Sequence, residues 1–119
     1  MAGTLVPLVL IPRYTTFSGA ATYSTIGMDV TDYEQAILSY WRSSGVTLTT
    51  APVVVFEEST DQSNWTLCAG GPYTDPGANL ETQFKPTLTK RWFRVTVTLN
   101  TAQSSVTLWC MGFLMQRES

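Results

Sequence analysis

Residues 90–99 read KRWFRVTVTL. Phe93, Val95, Val97 and Leu99 fall at every second position, and Trp92, Arg94, Thr96 and Thr98 fill the positions between. A β-strand sends successive side chains to opposite faces, so this pattern predicts a strand with one apolar and one polar face. The β-branched and aromatic residues suit a pleated, half-buried surface.

The same period of two extends outward from this segment. In residues 35–42, QAILSYWR, Ala36, Leu38 and Tyr40 share one face, with Ile37 and Trp41 on the other. Residues 52–58 predict a strong strand, residues 65–69 its hairpin partner, and residues 82–88 a weaker extended segment. Residues 105–116, SVTLWCMGFLMQ, predict the last strand. Residues 4–11 are β-rich but carry Pro7, which confines them to an edge strand or an extended arm. Residues 15–25 read as a long loop or weak strand. Thr31 or Asp32 is positioned to cap a single helical turn or to open a wide turn over residues 31–34. Turns or loops are expected at residues 43–45, 70–80 and 100–103, and a short strand or loop at residues 46–50. No stretch holds a 3.6-residue period over three turns. The expected fold is therefore all-β: an antiparallel β-sandwich, jelly-roll-like, with an extended N-terminal arm. The expected organisation is residues 1–14 as arm or edge strand and residues 15–119 as a single β-sandwich domain.

Composition narrows function mostly by exclusion. At 119 residues the chain can build a core without disulfides or metals. Charged residues are 13% of the total, about half the usual share, so much of the surface is uncharged or covered by partners. A net charge of -2 argues against nucleic-acid binding. The absence of histidine removes the commonest general base and the commonest zinc ligand. The opening MAGTLVPLVLIPRY lacks a basic leader region and is interrupted by Pro7 and Pro12. It reads neither as a signal peptide nor as a membrane span, and a soluble protein made in the cytoplasm is expected. The Asn64-Trp65-Thr66 sequon is then a chance match. No cofactor is expected.

The last strand is unusual. Val106, Leu108, Cys110 and Leu114 lie on one face, and Trp109, Met111, Phe113 and Met115 on the other. A strand with one solvated face should be polar at alternate positions, and this one is not. The opening segment behaves likewise, with Leu5, Val9 and Ile11 against Val6, Leu8 and Leu10. Either the two segments cover each other, or an outer face is buried against another subunit. The second alternative makes Leu5, Val6, Leu8, Leu10, Trp109, Met111, Phe113 and Met115 the candidate interface.

Residues 56–65, FEESTDQSNW, hold the densest acidic group. Glu57 and Glu58 are strand neighbours that point to opposite faces, so they cannot converge on one bond as a catalytic pair. A calcium loop would need spacing and a glycine that are absent. The segment reads instead as a structural hairpin built on Asp61 and Asn64, with Trp65 capping the sandwich core. Lys90, Arg91 and Arg94 are expected to pair with Glu57 and Glu58 or to be solvated. Trp41, Trp92 and Trp109 could form a sugar-stacking platform, but packing suits their apolar surroundings better. Cys68 and Cys110 fit no metal spacing and read as buried free thiols, with a bridge possible if their strands are neighbours.

The run of strand, ESTDQSNW hairpin, Gly/Pro loop, RWFRVTV and VTLWCMGF resembles small β-sandwich proteins of tailed-bacteriophage virions, the head decoration (cement) proteins. The segment from Met28 to Tyr33, MDVTDY, adds to that likeness. A weaker similarity is to discoidin-like jelly-roll domains. The sequence departs from them in its first half, in lacking paired terminal cysteines and in having Gln62 where a turn glycine is usual. The first resemblance implies a non-enzymatic structural protein of the virion. Its implied partners are the major capsid protein and sister subunits in a homotrimer, with neither nucleic acid nor membrane. The alternative is a carbohydrate-binding module on a tail or fibre.

Overall fold

The computed structural model describes residues 4–46, 48, 51–100 and 104–117. Apart from Asn100, the turn expected at residues 100–103 lies outside them. So do residues 1–3 of the expected arm and residues 47, 49 and 50 of the segment expected at 46–50; Val46 itself bridges Ser105.

Nine strands and no helix make up the described residues. They are β1 (Leu5–Ser18), β2 (Ala21–Ser24), β3 (Met28–Asp29), β4 (Tyr33–Arg42), β5 (Val53–Ser59), β6 (Thr66–Leu67), β7 (Glu81–Phe84), β8 (Trp92–Leu99) and β9 (Ser105–Gln116). One sheet has the order β1-β9-β4-β7 and the other β2-β8-β5-β6, with β3 also pairing β8. β2 and β3 follow one another along β8 and act as one broken strand. The first strand pairs with the last, β2 and β3 with β8, β4 with β7, and β5 with β6. This nested antiparallel pairing, dealt alternately to two sheets, is a jelly roll. The all-β sandwich expected from period-two patterning is the fold observed.

The core lies between the sheets and follows the alternation. Phe93, Val95, Val97 and Leu99 of β8 point inward, as do Ala36, Leu38 and Tyr40 of β4 and Val106, Leu108, Cys110 and Leu114 of β9. Phe56 is central: its ring lies 6.1 Å from Phe93, 5.7 Å from Phe84 and 4.9 Å from Tyr73. At Gly112 the sheet has no room for a side chain, because a Cβ there would lie 1.9 Å from the Ile37 carbonyl oxygen. Cys68 and Cys110 are buried free thiols, as expected, and burial pushes each up to about 12.

Residues 5–18 do not form a free arm. They are one edge strand paired along β9, and the strand runs through the position where the arm was expected to end. The strand is possible despite Pro7 because of its edge. Thr4 accepts a bond from the Gln116 N–H, so by antiparallel alternation Val6 and Leu8 bond to β9 while Pro7 turns its missing donor outward. The missing donor also interrupts the row of free groups on which another strand could pair. The expected helical turn at residues 31–34 is a tight turn, and its cap is Asp29, which accepts bonds from the Thr31 N–H and hydroxyl at 3.0 and 2.6 Å.

Candidate functional site

The two sheets present unlike outer faces. On the β2-β8-β5-β6 sheet the outward residues are largely hydroxyls and charges joined in a ladder. Thr22 bonds Thr98 at 3.2 Å and Ser24 bonds Thr96 at 3.0 Å. Thr96 donates to Glu57 at 2.7 Å, and Arg94 donates to the same carboxylate oxygen at 3.1 Å. Val53, Val55, Leu67 and the half-buried Trp65 and Trp92 are the apolar exceptions, and each tryptophan has an arginine stacked on it. This is an ordinary solvated strand face.

The outer face of β1-β9-β4 is different. Leu5, Pro7 and Val9 of β1 stand beside Met115, Phe113 and Met111 of β9. Ile37, Ser39 and Trp41 of β4 stand beside Phe113, Met111 and Trp109. Val9 is 55% exposed and Phe113 44%. Between these side chains runs an open groove of about 330 Å³, lined by Pro7, Val9, Ser39, Met111 and Phe113, with Arg13 and Glu81 also on its wall. Contiguous exposed apolar surface of this kind makes the face the candidate site.

The eight expected interface residues divide. Leu5, Met111, Phe113 and Met115 lie on the outer face. Val6 and Leu8 face inward beside Leu114 and Gly112, and Leu10 packs against the core. Trp109 is on the outer face but only 6% exposed. Its cover comes from its own chain. Between Ile11 and Thr15 the β1 register slips: Pro12, Arg13 and Tyr14 stand opposite Trp109 alone, two residues in excess, and bulge over it. The Arg13 guanidinium sits 4.2 Å above the Trp109 ring, and Tyr14 meets Trp41 edge-on at 5.8 Å. Pro7, Val9 and Ile37 belong to the same face. Ile37 was legible from strand parity, as the alternate neighbour of the inward Leu38.

The acidic hairpin is held by its own side chains. Asp61 accepts bonds from the Ser63 and Asn64 N–H groups at 2.8 and 2.9 Å, from the Ser59 hydroxyl and from the Asn64 amide. These bonds, that of the Asn64 N–H foremost, hold its carboxyl well below the usual carboxylate range. Gln62 takes the left-handed conformation, φ 62°, at the position where a turn glycine is usual. Trp65 does not cap the core. It lies half-buried on the outer side of its sheet, where Arg94 stacks over it at 4.2 Å and Gly27 leaves room for its ring. Strand parity explains the difference: Leu67 pairs with the outward Glu57, and Trp65, two residues before it, falls on the same side.

Glu57 and Glu58 point apart, as strand parity requires. Glu57 pairs with Arg94. Glu58 is buried and accepts bonds from the Thr89 N–H and hydroxyl and the Lys90 N–H at 2.8, 2.8 and 3.2 Å. Its carboxylate ties the approach to β8 onto the end of β5. The side chains of Lys90 and Arg91 pair with neither glutamate; the Lys90 ammonium donates to Thr66, and Arg91 donates to Asp29 and stacks on Trp92. Arg42 and Asp75 form a two-pronged pair at 2.7 and 2.9 Å that pins the Gly/Pro loop to β4. Each strong polar contact thus fastens one segment of backbone to another. Among the described residues no three His, Cys, Asp or Glu side chains converge as a metal site.

No family model, curated protein or solved structure matches this chain.

Proposed function

We propose that this chain is a non-enzymatic structural protein that assembles through the outer face of β1-β9-β4. One observation carries the reading: of two solvent-facing sheets in one sandwich, one is mainly a hydroxyl and charge ladder and the other has a contiguous apolar stretch across three strands. A protein working alone has no use for the second, because its exposed apolar area costs solubility and gains nothing. Within this class we propose decoration of a bacteriophage head, in the virion, with the major capsid protein and sister copies as partners. The resemblance of the hairpin and closing strands supports that narrower step. The jelly roll is common to capsid and lectin domains and does not choose between them.

The mechanism is mechanical. Each square ångström of apolar surface removed from water contributes about 25 cal/mol, so a few hundred Å² contributes several kcal/mol per copy. Repeated over a shell, such contacts oppose outward pressure. Val9→Lys tests the reading, because lysine is well tolerated on an edge strand but opposes burial of this face. Co-sedimentation with heads from the same source should be lost for the variant and kept for the wild-type chain. Equal binding by both would remove the assembly reading.

Carbohydrate binding is the second reading, and Tyr14 favours it. It is 67% exposed, packs on Trp41 and has Arg13 next to it in sequence. Binding on a glycan array that disappears with Tyr14→Ala would establish this reading; an empty array would remove it.

A further inference from the structure

Arg13, Trp109, Trp41 and Glu81 stand in one row across the apolar sheet. Trp41 is directly opposite both Trp109 and Glu81, and the Arg13 bulge overlies Trp109. Arg13 comes from the β1 end of the row but its guanidinium lies over Trp109 on β9, and Glu81 is at the β7 end, so the two charges stand roughly two strand spacings, about 10 Å, apart. Both are exposed, and among the described residues neither has an ion-pair partner. Along the middle of the face, the larger residue of each of the next two pairs is on β9 and the smaller on β4: Met111 beside Ser39 and Phe113 beside Ile37.

We infer that the occupant of this face is a second copy of the same chain, related by a two-fold axis that runs parallel to the strands between β9 and β4. The inference rests on the assembly reading above and specifies its partner. Rotation about that axis exchanges the two ends of the row, so the Arg13 guanidinium of each copy is laid over Trp41 of the other, one strand from Glu81 and within a side chain's reach of it. It lays β9 of one copy on β4 of the other, so Met111 meets Ser39 and Phe113 meets Ile37. Positive then lies beside negative, and in the two rows beyond the Trp109–Trp41 row large faces small, as a self-complementary patch requires. A rotation about an axis perpendicular to the strands would set each Arg13 at the same sheet edge as its counterpart and lose both matches.

The area limits the strength of this contact. Four strands by about six residues cover roughly 400 Å² per copy, about half of what a standard stable interface buries on each side. The dimer is therefore weak in dilute solution and fills as concentration rises. Crowding on a surface would have the same effect.

The test is analytical ultracentrifugation from about 1 to about 500 µM, a range that spans weak association. It compares the wild type with Arg13→Glu, Glu81→Arg and the double reversal. The wild type should dimerise. Each single reversal should weaken dimerisation by about tenfold or more, and the double reversal should return it to near the wild-type value. Glu81→Arg leaves the Arg13 cover of Trp109 in place, so it stays informative if Arg13→Glu disturbs the bulge. A trimer, a monomer at every concentration, or a dimer indifferent to all three variants overturns the two-fold arrangement. The Val9→Lys sedimentation assay separates the two claims: a monomeric wild type whose head binding is still lost with Val9→Lys defeats the dimer and keeps the assembly reading.

Discussion

Replacing Phe113 with threonine removes the largest exposed apolar side chain from the centre of the β1-β9-β4 face while keeping a residue that suits a strand. A phenylalanine side chain carries about 200 Å², so the 44% that is exposed amounts to roughly 90 Å². Covering that area is worth about 2 kcal/mol per copy, and threonine recovers only part of it. The expected loss is about 1.4 kcal/mol per copy, or tenfold in association, and about a hundredfold where two copies each contribute one ring. The buried part of the ring lies beside Pro7 and Ile37, so folding should also lose about 1 kcal/mol, a shift of roughly 4–8 °C in Tm. Ultracentrifugation measures the first effect and a thermal melt the second. Unchanged association alongside the expected melting shift would refute the reasoning, because it would show that the exposed half of the ring is never covered.

Three further predictions concern the frame that holds the face. Gly112→Ala forces a Cβ to 1.9 Å from the Ile37 carbonyl, a backbone contact that cannot yield, so urea midpoints should fall by the equivalent of about 3 kcal/mol or more. An Ala variant as stable as the wild type would mean that β9 and β4 are not so close. The carboxyl of Asp61 is depressed in the fold, so its charge-dependent contribution is complete above its unfolded value near pH 4 and declines as pH falls through its lower folded value. The stability difference between wild type and Asp61→Asn should therefore be flat from pH 7 to about 5 and narrow in stronger acid; a difference that widens there would contradict the hydrogen-bond assignment. Cys68 and Cys110, both buried with thiols pushed up to about 12, should resist a thiol reagent at pH 8 in the folded protein and both react in urea. Rapid modification of the native chain would show that one of them is accessible.

The parity of the strands was legible because it is local. Phe93 to Leu99, Ala36 to Tyr40 and the two faces of residues 105–116 follow directly from alternation along a single backbone. The same rule shows that Glu58 shares the inward side with Val54 and Phe56. Where the alternation breaks, it stops informing. The three-residue bulge at Pro12, Arg13 and Tyr14 concealed that β1 resumes and carries Phe17 back toward the core. The fates of the tryptophans are set by partners distant in sequence. Trp65 is covered by Arg94 and Trp109 by Arg13, and no local pattern announces either contact. For the candidate face, the sequence disclosed a strand apolar on both sides. Parity already separated Val9 from Val6 and Leu8; the sheet order showed which of these sides is outward and set Pro7, Val9 and Ile37 beside Met111 and Phe113.

The central claim is that the outer face of β1-β9-β4 is covered when the protein is at work. Methionine oxidation reads this directly, because Met111 and Met115 lie on that face while Met28 packs against the core from the other sheet. Peroxide footprinting followed by mass spectrometry should be run on dilute chain, concentrated chain and head-bound chain. The account predicts that Met111 and Met115 become protected on concentration and on heads while Met28 keeps one rate throughout. Equal rates for Met111 and Met115 in all three states would contradict it.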